Sequence, residues 1–173
     1  MTWEKLGRVW EPCADKWWNK RYGILPVPYY IEEQNIVRVF FGSSDSDIFS
    51  RISYIDLDAD NITKMVGQSN EPVLNIGELG TFDDCGVVPS CTLQREGKLY
   101  LYTVGFQRCE RVPYMLFAGL AESIDNGMIF SRTTKAPILP RNDFRPFSQG
   151  APSVIFHNGI YKMWHWFSTK WIN

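Results

Sequence analysis

The sequence predicts an all-β protein in which four-stranded sheets follow one another around an axis, so that the chain forms part of a β-propeller. Three observations carry this. A proline-containing apolar segment recurs with its prolines at 26, 89 and 152, twice at the same interval of 63 residues, and a period of that size marks an architecture of repeated supersecondary units. After each proline come an apolar strand, a polar turn and an aromatic-rich strand, in the same order. No stretch holds the 3.6-residue apolar spacing of a helix.

The elements follow in chain order. Residues 1–21 precede the first unit, which spans 22–83. Its strands are expected at 24–31, 37–42, 52–58 and 62–65, with a polar turn at 32–35 and a closing loop through Glu71-Pro72-Val73-Leu74. The second unit, 84–148, repeats the pattern with a turn at 94–97, strands at 99–104, 117–123 and 128–131, and a loop through Ala136-Pro137-Ile138-Leu139. The third, 149–173, holds a first strand, the turn His157-Asn158-Gly159 and a second strand at 161–166. Two complete blades and the first half of a third leave apolar faces uncovered, because propellers have about four to eight blades. Either the chain is a fragment of a longer protein, or two copies close the ring as a homodimer.

Composition excludes several classes. In a chain of 173 residues, 45% apolar and 21% charged residues rule out a disordered linker. A net charge of -1 gives no surplus cation for a general nucleic-acid binder. No apolar run approaches the roughly 20 residues needed to span a bilayer, and the first residues lack the apolar stretch of a secretory signal. No membrane partner and a cytoplasmic location are therefore expected. Cys13, Cys85, Cys91 and Cys109 include no pair separated by only two residues, so reduced thiols in or near the core are expected rather than a zinc site. Aromatic residues make up 15% of the chain, and an aromatic-rich β core accounts for most of them. Sugars present apolar C–H faces that pack on such rings.

Strands that alternate in direction sort the loops onto two faces. Short turns at 32–35, 58–60, 94–97 and 125–127 fall on one face as ordinary solvated hairpins. The long loops, 43–51, 80–84, 108–111 and 141–149, fall on the other, and long loops on a rigid scaffold are where sites are built. The candidate catalytic carboxylates there are Asp83, Asp84 and Asp45. Asp83 and Asp84 stand just before the innermost strand of the second unit, where paired carboxylates can orient a sugar hydroxyl, act as acid and base, or hold a calcium ion as oxygen ligands. The alternative is that Asp83 caps a turn and only Asp84 points inward. Asp45, with Asp47 and Arg51, forms either a substrate contact or an Asx turn closed by a salt bridge. Candidate substrate-binding residues are Arg51, Arg145, Gln149, Trp17 and Trp18; the two tryptophans either stack on sugar or help close the ring. Apart from calcium no cofactor is expected, and His157 and His165 alone make no zinc site.

The interval of 63 residues, Gly-Thr-Phe-Asp-Asp-Cys-Gly-Val-Val-Pro-Ser at 80–90, Gly119-Leu120-Ala121-Glu122-Ser123 and Ala136-Pro137-Ile138-Leu139-Pro140-Arg141 together resemble the five-bladed β-propeller glycosidases. These include arabinanases, β-xylosidases, fructosidases and mannoside phosphorylases, and the likeness is greatest to a glycosidase-like branch associated with polysaccharide genes. The resemblance implies a partial five-bladed propeller. It also implies a carbohydrate substrate in the central funnel, cleaved by one carboxylate that protonates the leaving oxygen and another that activates water. The positions that carry those acids in arabinanase-like members read Leu25, Ser90 and Gly150 here, so Asp83 and Asp84 would have to substitute. Three readings follow: a glycoside hydrolase, a glycan-binding propeller without turnover, and an inactive fragment that self-associates.

Overall fold

The computed structural model describes residues 2–13 and 15–171. The chain forms a first sheet of β1 (Arg21–Ile31), β2 (Ile36–Ser44), β3 (Ser50–Asp58) and β4 (Met65–Gln68), and a second of β5 (Val87–Arg95), β6 (Lys98–Arg108), β7 (Tyr114–Ser123) and β8 (Ser131–Arg132). A two-stranded sheet of β9 (Gln149–His157) and β10 (Ile160–Phe167) follows. Every sheet is an antiparallel meander. Among the described residues the helical content is one 3-10 turn at Glu32–Gln34, and no helix is long and apolar enough to cross a membrane. Strand β5 packs between β1 and β9, and a parallel bridge joins Ser50 to Gly86. First strands side by side, with the sheets fanning outward from them, are the geometry of propeller blades.

The turns explain why the strands pair in this register. Glu96-Gly97 and Asn158-Gly159 both have positive φ, giving two-residue loops of the type whose twist matches the flanking strands. The fourth strands correct the sequence reading: they begin at Met65 and Ser131, three residues later than expected. In the first blade the Asp58, Asn61 and Lys64 backbones bond one another in a wider turn. In the second, the Asp125 carboxylate accepts from the amides of Met128 and Ile129. Both segments are spent on turn hydrogen bonds before pairing can start.

The main core lies between the two complete blades. Val27, Phe40, Ile52 and Tyr54 of the first face Val87, Leu99, Leu101, Ala121 and Phe130 of the second, with Val73 and Leu74 of the connecting loop between them. The opposite face of the first blade, Phe41, Ile55 and Leu57, is covered by Trp10 of the N-terminal segment. Phe82, Met115 and Phe117 pack with Phe147 and Trp171 on the far side of the second blade. All four cysteines are unpaired; contrary to the near-core expectation, Cys13 and Cys109 are exposed.

The three innermost strands share one irregularity. Each breaks register around its proline: between Ile24 and Val27, between Pro89 and Cys91, and opposite the Trp164–Trp166 step where Ala151 and Pro152 stand. A bulge bends the strand and re-aims its side chains.

Candidate functional site

Among the long loops, the one between β2 and β3 closes on itself. Asp45 Oδ1 accepts from the amides of Asp47 and Phe49, both at 3.0 Å, and Arg51 donates to Asp45 Oδ2 at 2.6 Å. Arg51 also donates to Asn75 Oδ1 at 2.7 Å and stacks against the Trp17 ring. This is the Asx turn with a salt bridge; Asp45 and Arg51 are committed to the loop. Burial is the largest single influence on the Asp45 carboxyl and opposes its ionisation, but the Phe49 and Asp47 amides and the Arg51 guanidinium together hold it below the usual carboxylate range. A depressed folded value stabilises the chain above the unfolded value, and this contribution disappears as pH falls through the folded one. Acid titration followed by circular dichroism is therefore expected to show a loss of stability below roughly pH 4 that Asp45→Asn flattens. At neutral pH that substitution should cost about 1.5–3 kcal/mol. An unchanged acid limb would disprove the assignment.

Asp83 is buried and bound. Arg132 of β8 donates from Nε to Asp83 Oδ2 at 2.7 Å and from its second amino group to the Asn75 carbonyl, and Thr81 Oγ1 donates to Asp83 Oδ1 at 3.1 Å. Gly77 lies so close that a Cβ there would collide with Asp83 Oδ1 and Thr81 Oγ1. The polar latch runs Asp45–Arg51–Asn75–Arg132–Asp83, tying the first blade's loops to the second blade. The paired calcium ligands are thereby corrected, since a guanidinium already occupies the Asp83 carboxylate. Among the described residues no group of three or more His, Cys, Asp or Glu is placed to hold a metal.

Asp84 differs from its neighbour. Its Oδ2 accepts from the Gly80 amide at 2.8 Å, while its Oδ1 is buried without a well-aligned donor, with the Cys85 thiol beside the carboxylate. A buried carboxylate oxygen without a well-aligned donor is costly. Beside it, burial pushes the Cys85 thiol up, and the Asp84 carboxylate adds to that shift. A raised value favours the thiol over the thiolate, which is the reactive form.

Cys85 lines a cleft of about 280 Å³ between the first two blades on the long-loop face, walled by Tyr22, Ile24, Ile48, Ser50, Phe106, Arg108, Pro113 and Tyr114. The Tyr22 and Ser50 hydroxyls are 3.2 Å apart. Arg108 stacks on Phe49 and donates to the Asp47 carbonyl at 2.6 Å. Phe106, Tyr114 and Trp171 form a row of edge-on rings, with centroids 6.2 and 5.8 Å apart. Two wall residues are strained: Tyr22 and Ile48 have φ of 34° and 66°. Positive φ is a genuine outlier for a β-branched residue, and such strain concentrates at functional sites.

The other expected site residues separate. Trp18 is 1% exposed and donates to the Asn70 carbonyl, so it is core and no stacking platform; Trp17 keeps an exposed ring, with its indole N–H on Glu71. Gln149 is also 1% exposed, and its amide donates to the Pro140 carbonyl, so it braces the closing loop. Arg145 lies over the Phe167 ring. The three acid positions, Leu25, Ser90 and Gly150, are not equivalent in the 63-residue register: they stand one before, one after and two before their prolines. Leu25 is half-exposed with φ of 51°, Ser90 donates to the Pro152 carbonyl, and Gly150 is buried. Ser50 and Arg108 lie in loops the sequence places on this face, but Tyr22, Phe106 and Tyr114 escaped the sequence reading because nothing along the chain marks residues that meet only when two blades dock.

The fold is that of the β-propellers found in glycoside hydrolases. Over 94% of this chain and 53% of the other, it superposes on an exo-1,5-α-L-arabinanase from a bovine ruminal metagenomic library, with a TM-score of 0.56 and 20% identity. It also matches the sucrose-6-phosphate hydrolase of Lactobacillus gasseri over 81% of this chain and 28% of that one, with a TM-score of 0.58 and 17% identity. A third match, an N-acetylgalactosamine deacetylase from F. plautii in complex with blood group B trisaccharide, covers 85% and 41%, with a TM-score of 0.55 and 17% identity. In sequence, the chain is 33% identical over 171 residues to an uncharacterized Mycobacterium tuberculosis protein, present in two strains, which aligns with 99% of this chain. The chain spans 56%, about half, of the length of these curated relatives. No protein-family model matches it.

Proposed function

We propose that the chain builds about half of a carbohydrate-binding funnel in a five-bladed propeller, with the blades at 22–83 and 84–148 and a half-blade from 149. Two and a half blades in about half the relatives' length support a count of five. The observation that carries the functional reading is a cleft that combines aromatic rings, hydroxyls and one arginine, with the Asp84 carboxylate next in the chain to its Cys85 wall. Sugar hydroxyls donate to such a carboxylate, and C–H faces pack on such rings. The arabinanase, the sucrose-6-phosphate hydrolase and the N-acetylgalactosamine deacetylase all act on carbohydrates while differing in reaction, which supports the ligand class more than any one reaction.

Hydrolysis requires two carboxylates roughly 5–9.5 Å apart. Asp45 and Asp83 are each bound to a guanidinium, which leaves Asp84. In this reading the chain binds glycan, and turnover by a complete ring draws its second carboxylate from blades outside this chain.

A glycan array followed by calorimetry on the best ligand tests this. Asp84→Asn and Arg108→Ala are each expected to weaken binding by roughly ten- to a hundredfold, the equivalent of one charge-assisted hydrogen bond, with the melting temperature held near that of the parent. Unchanged affinity in both variants would refute the site. Absence of any glycan ligand would refute the class.

A further inference from the structure

The three units place a large aromatic at one repeat position: Phe40, Tyr102 and Trp164 stand 62 residues apart, at the same point of the second strand. Their exposure rises stepwise, 0%, 7% and 58%. The complete second blade covers Phe40, with edge-to-face contact to Phe130 at 5.4 Å. The half-blade β9–β10 lies against the second blade and leaves a gap of about 230 Å³ beside Tyr102, lined by Tyr100, Leu120 and Tyr161. Trp164 is the most exposed of the three, and Ile155 and Ile160 on the same face are exposed as well. Among the described residues strand β10 pairs with β9 alone and is an edge strand, which offers its outer backbone groups for pairing.

We infer that β10 and the Trp164 face form a docking surface for a polypeptide corresponding to the part of the mycobacterial relatives that this chain does not match. The first two blades supply the template for the contact. A strand from that polypeptide pairs antiparallel with β10 as β7 pairs with β6, where Ala121 stands opposite Leu101 and Gly119 opposite Thr103. Residues opposite Met163 are therefore small, as Ala121 is, because they must enter the gap walled by Tyr100, Tyr102 and Tyr161. The following blade then buries Trp164 as the second blade buries Phe40. Two observations select this occupant over a second copy of the chain. The relatives carry sequence outside the matched 56% of their length. In addition, a dimer with its two-fold on the propeller axis would place a half-blade at two separate positions and leave both unfinished, while pairing β10 with its own copy would put an innermost β9 at each end of the joined sheet.

Co-expression of this chain with the unmatched segment of the mycobacterial relative tests the proposal, with light scattering to count subunits and hydrogen exchange to follow the β10 amides. A one-to-one complex is expected, with β10 protected in the complex and rapidly exchanging in the chain alone. Trp164→Asp is expected to weaken the complex at least tenfold while leaving the circular dichroism and melting temperature of the isolated chain unchanged, because Trp164 makes no core contact there. Three results would each overturn the inference: no complex, a complex indifferent to Trp164→Asp, or an isolated chain that is already a dimer with protected β10 amides.

Discussion

Replacing Arg38 with alanine is expected to destabilise the chain by about 3–5 kcal/mol, because it strips the partner from a buried carboxylate. Arg38 grips Asp56 in a fork, with Nε and the second amino nitrogen each 2.8 Å from a carboxylate oxygen. Its remaining amino group donates to the Asn126 carbonyl at 3.0 Å, and its guanidinium carbon sits 3.8 Å from the centre of the Tyr54 ring. Asn126 belongs to the second blade, so the residue joins two blades as well as two strands. Burial is the largest influence on Arg38 and lowers its pKa, yet the bonds to Asp56 outweigh it and raise the value overall. Urea unfolding measures the cost. The double replacement Arg38→Met with Asp56→Leu should recover much of it, since two apolar side chains leave no orphaned charge. A single-mutant loss under about 1 kcal/mol would mean that Asp56 is solvated or otherwise paired.

Phe40→Ala should cost about 3–5 kcal/mol, of which the cavity is the larger part. The ring is fully buried, meets Tyr54 and Phe130 edge-on with centroids 6.3 and 5.4 Å away, and presses so closely on Gly127 that a Cβ there would collide with it. That glycine also has φ of 81° in the β7–β8 turn, so neither residue can move without the other. Phe40→Leu keeps most of the volume and should lose less than half as much. Equal losses for the two variants would indicate that the site collapses around any side chain, and the blade interface would then be looser than the ring contacts imply.

These two residues show what sequence could and could not supply. The alternation of Val37, Arg38, Val39, Phe40 and Phe41 announces a strand, and the equal spacing of Pro26, Pro89 and Pro152 announces a unit that repeats; both depend on local chemistry, which a chain displays one residue at a time. The fourth strands slipped because Asp58, Asn61 and Asp125 hold their neighbours by side-chain and backbone turn bonds that compete with pairing. The site was less legible. Asp83 and Asp84 look alike along the chain, yet an arginine 49 residues away claims the first and leaves one oxygen of the second without a well-aligned donor. Trp17 and Trp18 likewise separate into an exposed ring and a core residue. No spacing rule brings Tyr22, Cys85 and Tyr114 together; only the docking of the first two blades does.

Chemical-shift mapping by NMR on the isotope-labelled chain, titrated with the best glycan from an array, tests the proposed glycan site most directly. The account predicts perturbations concentrated at Tyr22, Ile24, Ser50, Asp84, Cys85, Phe106 and Arg108. Shifts that gather on the β10 face around Trp164, or on the short turns at the other end of the blades, would contradict it.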